Sequence, residues 1–181
     1  MSRRVARPYA VALFEVTRRE GVAALRELEG QLASVAQVFR SVPELLRVFE
    51  VPSVSPAAKR ELVGTLTKAL ALRPEAHRML VALEHHARLR YLEEVVSFFR
   101  DLVDRKEGIV RGRVELPTTP RQEQMTALTR ALGEALGARV ELDVKVRKEL
   151  LAGFVVRVGS QVFDGSLLAQ ARRFASSAAG E

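Results

Sequence analysis

The fold of the C-terminal half is decided by the stretch from Arg139 to Ser177, which reads RVELDVKVRKELLAGFVVRVGSQVFDGSLLAQARRFASS. Apolar and charged residues alternate from Val140 to Arg147, and this period of two predicts a strand with one buried and one solvent-facing side. Two shorter strands, residues 154–158 and 161–163, follow on either side of the two-residue turn Gly159-Ser160. The stretch therefore predicts three strands, the last two of which form a hairpin.

Four residues of this stretch are predicted to have structural roles. Gly153 and Gly159 lie at turns, and Asp164-Gly165 lie where the last strand is followed by a helix. We expect the Asp164 carboxylate to cap that helix by accepting a backbone N–H. The helix itself is indicated by an apolar stripe at helical spacing, formed by Leu167, Ala171, Phe174 and Ala178.

The period of the apolar residues changes near Gly108 and predicts two domains. Residues 1–106 show helical spacing in six segments, two of which are opened by Pro56 and Pro74. Residues 110–116 alternate as a strand, and Met125 to Leu136 have helical spacing again. The predicted fold is an α+β two-domain protein: an all-α six-helix bundle (1–106) and a small α/β domain (107–181) built as strand, helix, three strands and helix.

The first helix is apolar on two sides. Because Pro8 belongs in a first turn, we expect regular structure to begin near Arg7. We predict a core stripe formed by Val5, Tyr9, Ala12, Leu13 and Val16. The opposite side then presents further apolar residues, and the fifth helix has one opposite its own stripe. We therefore predict a groove between the first and fifth helices that accepts a partner helix, its floor or rim formed by Ala10, Val11, Phe14 and Val81. The alternative is a bundle in which one of these helices is central.

Composition and motifs argue against an enzyme. The 181 residues include no cysteine and only three histidines, and His85 and His86 are adjacent, so they point about 100° apart on a helix. There is no nucleotide-binding glycine loop, and Ser166 lies in no nucleophile elbow, so a hydrolase built on Ser166 is a remote interpretation. We predict no catalytic, cofactor-binding or metal-binding residues.

The charge and the hydropathy limit the partners. A net charge of +7 leaves a basic nucleic-acid-binding module as an alternative function, although aromatic residues are only 6% and tryptophan is absent. The longest uncharged run, Gly30 to Phe39, is much shorter than the ~20 apolar residues that span a bilayer. No signal peptide is indicated. We expect a cytoplasmic chain without direct membrane insertion.

Several motifs together resemble one family. The C-terminal motifs Leu151-Ala152-Gly153-Phe154, Val156-Arg157-Val158-Gly159 and Asp164-Gly165-Ser166-Leu167 resemble the signature of the delta subunit of F-type ATP synthases, the family that includes the mitochondrial oligomycin-sensitivity-conferring protein. Ala152 stands where the family has the first of two glycines. Residues 7–15, 52–59 and 83–108 also resemble the family, so the resemblance covers nearly the whole chain.

The resemblance implies a function and partners. It implies a non-catalytic stator subunit in the peripheral stalk of a proton-translocating ATP synthase, without a cofactor. The N-terminal domain would hold the N-termini of the alpha subunits, and the C-terminal domain would join the b subunits of the stalk. The location would be the cytoplasmic face of a bacterial cell membrane, as a peripheral protein, with no nucleic acid as partner.

Overall fold

A computed structural model describes residues 2–150, 152–158 and 161–165. This part of the chain contains seven α-helices, two short 3₁₀ helices and four strands. The mixed α+β class is therefore confirmed. The chain separates into two compact units, residues 1–107 (unit 1) and 108–181 (unit 2). Gly159 and the predicted last helix lie outside the described residues.

Unit 1 is helical. Its helices are α1 (Ser2–Thr17), α2 (Val22–Ser41), α3 (Pro43–Glu50), α4 (Pro56–Ala69), α5 (Pro74–His85) and α6 (Leu92–Glu107), with 3₁₀ helices at Arg18–Glu20 and Leu89–Tyr91. Proline begins α3, α4 and α5, where its missing N–H costs no helical bond. The Ser55 hydroxyl accepts a hydrogen bond from the Ala58 N–H at 3.2 Å and caps α4. Helix α6 packs against both α1 and α2.

The start of α1 corrects a prediction. The helix begins at Ser2, not near Arg7, and Pro8 lies inside it. Pro8 removes only one backbone donor, the one that would bond the carbonyl four residues earlier. Ala6, one residue before the predicted start near Arg7, is completely buried in the core of unit 1. We infer that packing of this early turn outweighs the lost bond.

A charged network joins α2 to the end of α6. The Arg26 guanidinium donates to Glu29 at 2.7 Å and to Asp104 at 2.5 Å, and it also pairs with Glu107. Arg100 donates to the other oxygen of Glu29 at 2.5 Å. Burial lowers the pKa of Arg26, but the hydrogen bonds to the three carboxylates outweigh burial and place the pKa above its ordinary value. The network holds buried carboxylates in a paired state.

Unit 2 is a four-stranded sheet with one described helix. Its elements are β1 (Ile109–Leu116), α7 (Gln122–Leu136), β2 (Arg139–Val146), β3 (Val155–Val158) and β4 (Gln161–Asp164). The strand order is β2-β1-β3-β4, with β1 parallel to β2 and the other two pairs antiparallel. Helix α7 connects the parallel pair, as a parallel connection requires. Its Leu132 packs with Val114, Val140 and Val156 in the core.

Two glycines of unit 2 are required by close packing. A Cβ on Gly112 in β1 would lie 2.7 Å from the Val158 side chain, its partner on β3. A Cβ on Gly165 would lie 2.9 Å from the Phe154 ring, and the Gly165 N–H donates to the Phe154 carbonyl at 2.9 Å. Gly165 therefore holds the end of β4 against the start of β3.

Candidate interaction site

Only Leu13 of the predicted core stripe lies on the fully buried side of α1. The fully or nearly buried residues of α1 are Ala6, Ala10, Leu13 and Thr17. Ala10, predicted at the floor or rim of the groove, is 0% exposed and belongs to the core, so it offers no surface to a partner. The physical reason is that small alanine side chains let α1 pack closely against its neighbours. The Thr17 hydroxyl is buried without a hydrogen-bond partner among the described residues.

The outward stripe of α1 is the one that was predicted to be core. Val5, Tyr9, Ala12 and Val16 are spaced by four, three and four residues, so they form one line along the helix. Val5 and Tyr9 are half-buried, Ala12 is exposed, and Val16 is 63% exposed. We call these four residues the α1 stripe. Tyr9 packs against the core of unit 1, whereas Ala12 and Val16 are left exposed by it.

The α1 stripe lies on the side of α1 that faces the end of α5. Arg88, which follows α5, donates from Nη1 to the Tyr9 hydroxyl at 3.0 Å, and its guanidinium lies 5.8 Å from the centre of the Tyr9 ring. Phe14 lies about 140° around the helix from Tyr9. Its ring meets Phe99 of α6 edge-on, with 6.4 Å between the ring centres. The α5 side and the α6 side of α1 are therefore different surfaces.

The structure does not bring the predicted groove residues together. Phe14 is half-buried on the α6 side of α1, and Val11 is 38% exposed between the two sides. Val81 is four residues after His77 and shares its side of α5. The Nδ1 atom of His77 lies 2.8 Å from the Thr67 hydroxyl of α4, so Val81 lies towards α4.

The side of α5 that turns away from α4 carries Ala82. Ala82 lies about 140° around the helix from His77 and is partly exposed. The surface between α1 and α5 therefore consists of the α1 stripe and Ala82. The sequence contained a signal for this phase, since Ala6, Ala10, Leu13 and Thr17 have helical spacing.

The turn after α5 positions Arg88. Ala87 has a left-handed backbone with φ 52°, a conformation that glycine adopts more easily. The Arg88 N–H donates to the Leu83 carbonyl at 2.7 Å, and the Ala87 N–H donates to the Glu84 carbonyl at 2.8 Å. This pattern ends the helix and directs the Arg88 side chain back towards α1.

A second candidate surface lies on unit 2. A cavity of about 830 Å³ lies between α7 and β2, and its apolar lining includes Met125, Val140 and Val144. Val144 and its strand neighbour Val146 are 39% and 43% exposed. Strand β2 is at the edge of the described sheet. This edge therefore presents apolar side chains beside an open groove.

The predicted turn residues of unit 2 have different outcomes. Gly153 has a φ of 88° at the turn before β3, so its conformation favours glycine. Gly165 is required by its contact with Phe154. Asp164 ends β4 opposite Val155. The helix that Asp164 was predicted to cap lies outside the described residues, as does Gly159.

The described residues include no candidate metal-binding site. Within residues 2–150, 152–158 and 161–165, no three histidine, aspartate or glutamate side chains form a group that would hold a metal ion. The rings of His85 and His86 meet edge-on at 5.0 Å on the surface. No helix in the described part of the chain has the length and apolar character needed to cross a membrane.

Many of the basic side chains form ion pairs. Surface arginines pair with carboxylates along both units, as in Arg40–Glu93, Arg78–Glu75, Arg111–Glu141 and Arg130–Glu134. A nucleic-acid interface needs basic groups that are free to meet phosphates. These pairs give no support to the alternative of a nucleic-acid-binding module.

The fold and the surfaces define a protein-interaction subunit with a helical unit and a small α/β unit. Residues 5–177 match the family described as ATP synthase delta (OSCP) subunit. The chain belongs to this family, whose members are structural and not catalytic subunits of the ATP synthase.

Individual relatives agree with this assignment. The ATP synthase subunit delta of Anaeromyxobacter sp. (strain Fw109-5) is 35% identical, with 92% of each chain covered. That of Oleidesulfovibrio alaskensis is 32% identical, covering 91% of this chain and 90% of the relative. A chain in the cryo-EM structure of the Toxoplasma gondii mitochondrial ATP synthase hexamer has a TM-score of 0.70 at 22% identity, with 100% and 98% covered. This last likeness shows the fold alone.

Proposed function

We propose that this chain is the stator subunit that links the catalytic head of a proton-translocating ATP synthase to its peripheral stalk, at the cytoplasmic face of a bacterial membrane. Unit 1, a bundle of six α-helices, binds the N-terminal segments of the alpha subunits. Unit 2 binds the b subunits. Each unit folds as a domain of its own, with the boundary at Gly108. The subunit contributes mechanical connection, and the reaction takes place elsewhere in the complex.

The observation that carries the proposal is the exposed part of the α1 stripe, Ala12 and Val16. An amphipathic helix binds by placing its apolar face on a complementary apolar line. Val16 at 63% exposure is the residue of the stripe with most surface left to bury. The α1 stripe and Ala82 form such a line, and it replaces the predicted set of Ala10, Val11, Phe14 and Val81 as the docking surface for an alpha-subunit segment.

Val16→Asp tests this surface, and Val11→Asp is its matched control. Both are exposed valines on α1, but Val11 lies outside the α1 stripe. We expect Val16→Asp to weaken binding of a synthetic alpha-subunit N-terminal peptide at least tenfold, because apolar contact is lost and a charge is desolvated. Val11→Asp should bind normally. Fluorescence anisotropy measures the binding, and circular dichroism checks the fold. If only Val11→Asp loses binding, the docking surface lies on the Val11 side of α1 and the proposed surface is wrong.

For unit 2, the groove between α7 and β2 is the proposed docking surface for the b subunits. Val144 faces the same side as Val114 of the core, whereas Val162 on β4 faces the opposite side of the sheet. Val144→Asp should therefore lose copurification with the b subunits but keep binding to the alpha-subunit peptide. Val162→Asp, also at an exposed valine, should keep both. Equal loss in the two variants would contradict this location.

A further inference from the structure

We propose that the helix docked between α1 and α5 carries a carboxylate side chain that binds the Arg88–Tyr9 pair, so that the two ends of the docking surface are chemically distinct. This inference rests on the proposed function. It specifies that the partner helix carries a carboxylate at one end of the surface. This carboxylate would determine the direction in which the partner helix runs along the surface.

The two ends of the surface are defined by two contacts. Tyr9, in the middle of α1, contacts Arg88, just after α5. Glu20, just after α1, pairs with Arg73, just before α5. Helices α1 and α5 therefore run antiparallel, and the docking surface between them has an Arg88 end and an Arg73 end.

The Arg73 end is electrically balanced. The Arg73 guanidinium pairs with three carboxylates, Glu20, Glu27 at 3.2 Å and Glu75 at 3.3 Å. Glu75 pairs in addition with Arg78 at 2.6 Å. An incoming charged residue at this end would have to compete with existing pairs.

The Arg88 end lacks such balance. Among the described residues Arg88 has no carboxylate within 4.0 Å, and its polar side-chain partner is the Tyr9 hydroxyl. The exposed His85 and His86 lie beside it at the end of α5. This end therefore combines a partly exposed guanidinium with two surface imidazoles, and it favours a negative group on a partner.

The hydrogen bond between Arg88 and Tyr9 leaves several donors unused. Because the Tyr9 oxygen accepts from Arg88 Nη1, its own proton remains available for another acceptor. The remaining N–H groups of Arg88 are also donors. Several donors beside a cationic charge match a carboxylate, which is negatively charged and only accepts. An arginine or lysine from the partner would be repelled by the charge of Arg88.

The test uses the full chain and a synthetic peptide of the alpha-subunit N-terminal segment from the same complex. Arg88→Gln should weaken binding about tenfold, which equals about 1.4 kcal/mol. Tyr9→Phe keeps the ring but removes the hydroxyl, and should weaken binding about threefold. Arg90→Gln is the matched control, since Arg90 is a neighbouring exposed arginine whose carboxylate partner is Glu50. It should bind as the unchanged chain does.

Peptides in which each acidic residue in turn is replaced by its amide identify the partner of Arg88. We expect one such peptide to bind the unchanged chain about tenfold more weakly than the original peptide does. The affinity of that peptide should not fall further when the chain carries Arg88→Gln. The inference is wrong if the losses of affinity caused by the amide replacement and by Arg88→Gln add fully for every peptide. It is also wrong if Arg88→Gln binds the original peptide normally. If Arg88→Gln loses helicity, Tyr9→Phe decides, and normal binding by that variant would overturn it.

Failure of the proposed function gives a different result. If the unchanged chain does not bind the peptide at all, the proposed function is wrong. If Val16→Asp loses binding while Arg88→Gln and Tyr9→Phe retain it, the docking surface stands and only the inference about the carboxylate fails.

Discussion

Replacing Arg26 should destabilise unit 1 more than replacing any surface arginine. Arg26→Ala removes the cation that contacts Glu29, Asp104 and Glu107. The side chains of Glu29 and Asp104 are only 10% and 6% exposed, so water replaces the lost partner poorly. Removing one member of a buried ion pair costs about 3–5 kcal/mol. Arg100 still pairs with Glu29, so we expect the lower end of this range, about 3 kcal/mol.

Arg40→Ala is the matched control for this prediction. Arg40 is also an arginine of α2 paired with a glutamate of α6, at 2.8 Å from Glu93. Both side chains of this pair are more than half exposed, so its loss should cost less than about 1 kcal/mol. Arg26→Lys should lie between the two, since a single ammonium group cannot bond three carboxylates with the fork geometry of arginine.

Urea unfolding followed by circular dichroism at the helix band measures these differences, because unit 1 contains six of the seven described helices. The midpoint should fall clearly for Arg26→Ala and hardly move for Arg40→Ala, with the slope unchanged. If the two variants lose the same stability within about 0.5 kcal/mol, the argument from burial and from the three carboxylate partners of Arg26 is wrong.

Three further changes have expected outcomes. Thr17→Val should raise the free energy of unfolding by about 1 kcal/mol in urea titrations, because it removes a buried hydroxyl without a partner. Ala87→Gly should stabilise by about 0.5–1 kcal/mol, since φ 52° strains alanine; a loss would contradict this. Glu75 has a pKa below its ordinary value because it accepts from its own backbone N–H and pairs with Arg73. Glu75→Gln should therefore lower the stability of unit 1 at pH 7. In thermal unfolding, the difference in stability between the variant and the unchanged chain should disappear as the pH falls below about 4.

Most of the fold could be predicted because local signals agree with tertiary structure. Proline at the first position marks the start of α4 and α5, and both helices begin there. The alternation in β1 and β2 gave the buried side of each strand correctly, since Val114 and Val140 are core residues. The strand order was not predictable in this way, because pairing of β1 with β2 and β3 depends on contacts between distant parts of the chain.

The candidate site was less predictable because α1 is apolar on almost every side. When apolar residues occupy most of a helix, their spacing does not select one buried side, and tertiary packing decides instead. In α1, packing buries Ala6, Ala10 and Leu13 and leaves Ala12 and Val16 exposed. For α5, the position of Val81 depends on the contact between His77 and Thr67, which is a tertiary interaction. The sequence thus indicated the helices of the site but not their phase.

The two arginines at the ends of α5 show why folding and recognition use different residues of the same surface. Arg73 has its carboxylates within unit 1, so its charge is already used in holding the start of α5 to the end of α1. Within the part of the chain that the structure describes, the polar side-chain partner of Arg88 is a hydroxyl, and the bond to Tyr9 fixes the position of Arg88 without neutralising its charge. A positioned cation loses less conformational entropy when a partner binds than a mobile one does. Neutralising Arg88 should therefore change binding more than stability, whereas neutralising Arg73 should change stability more than binding.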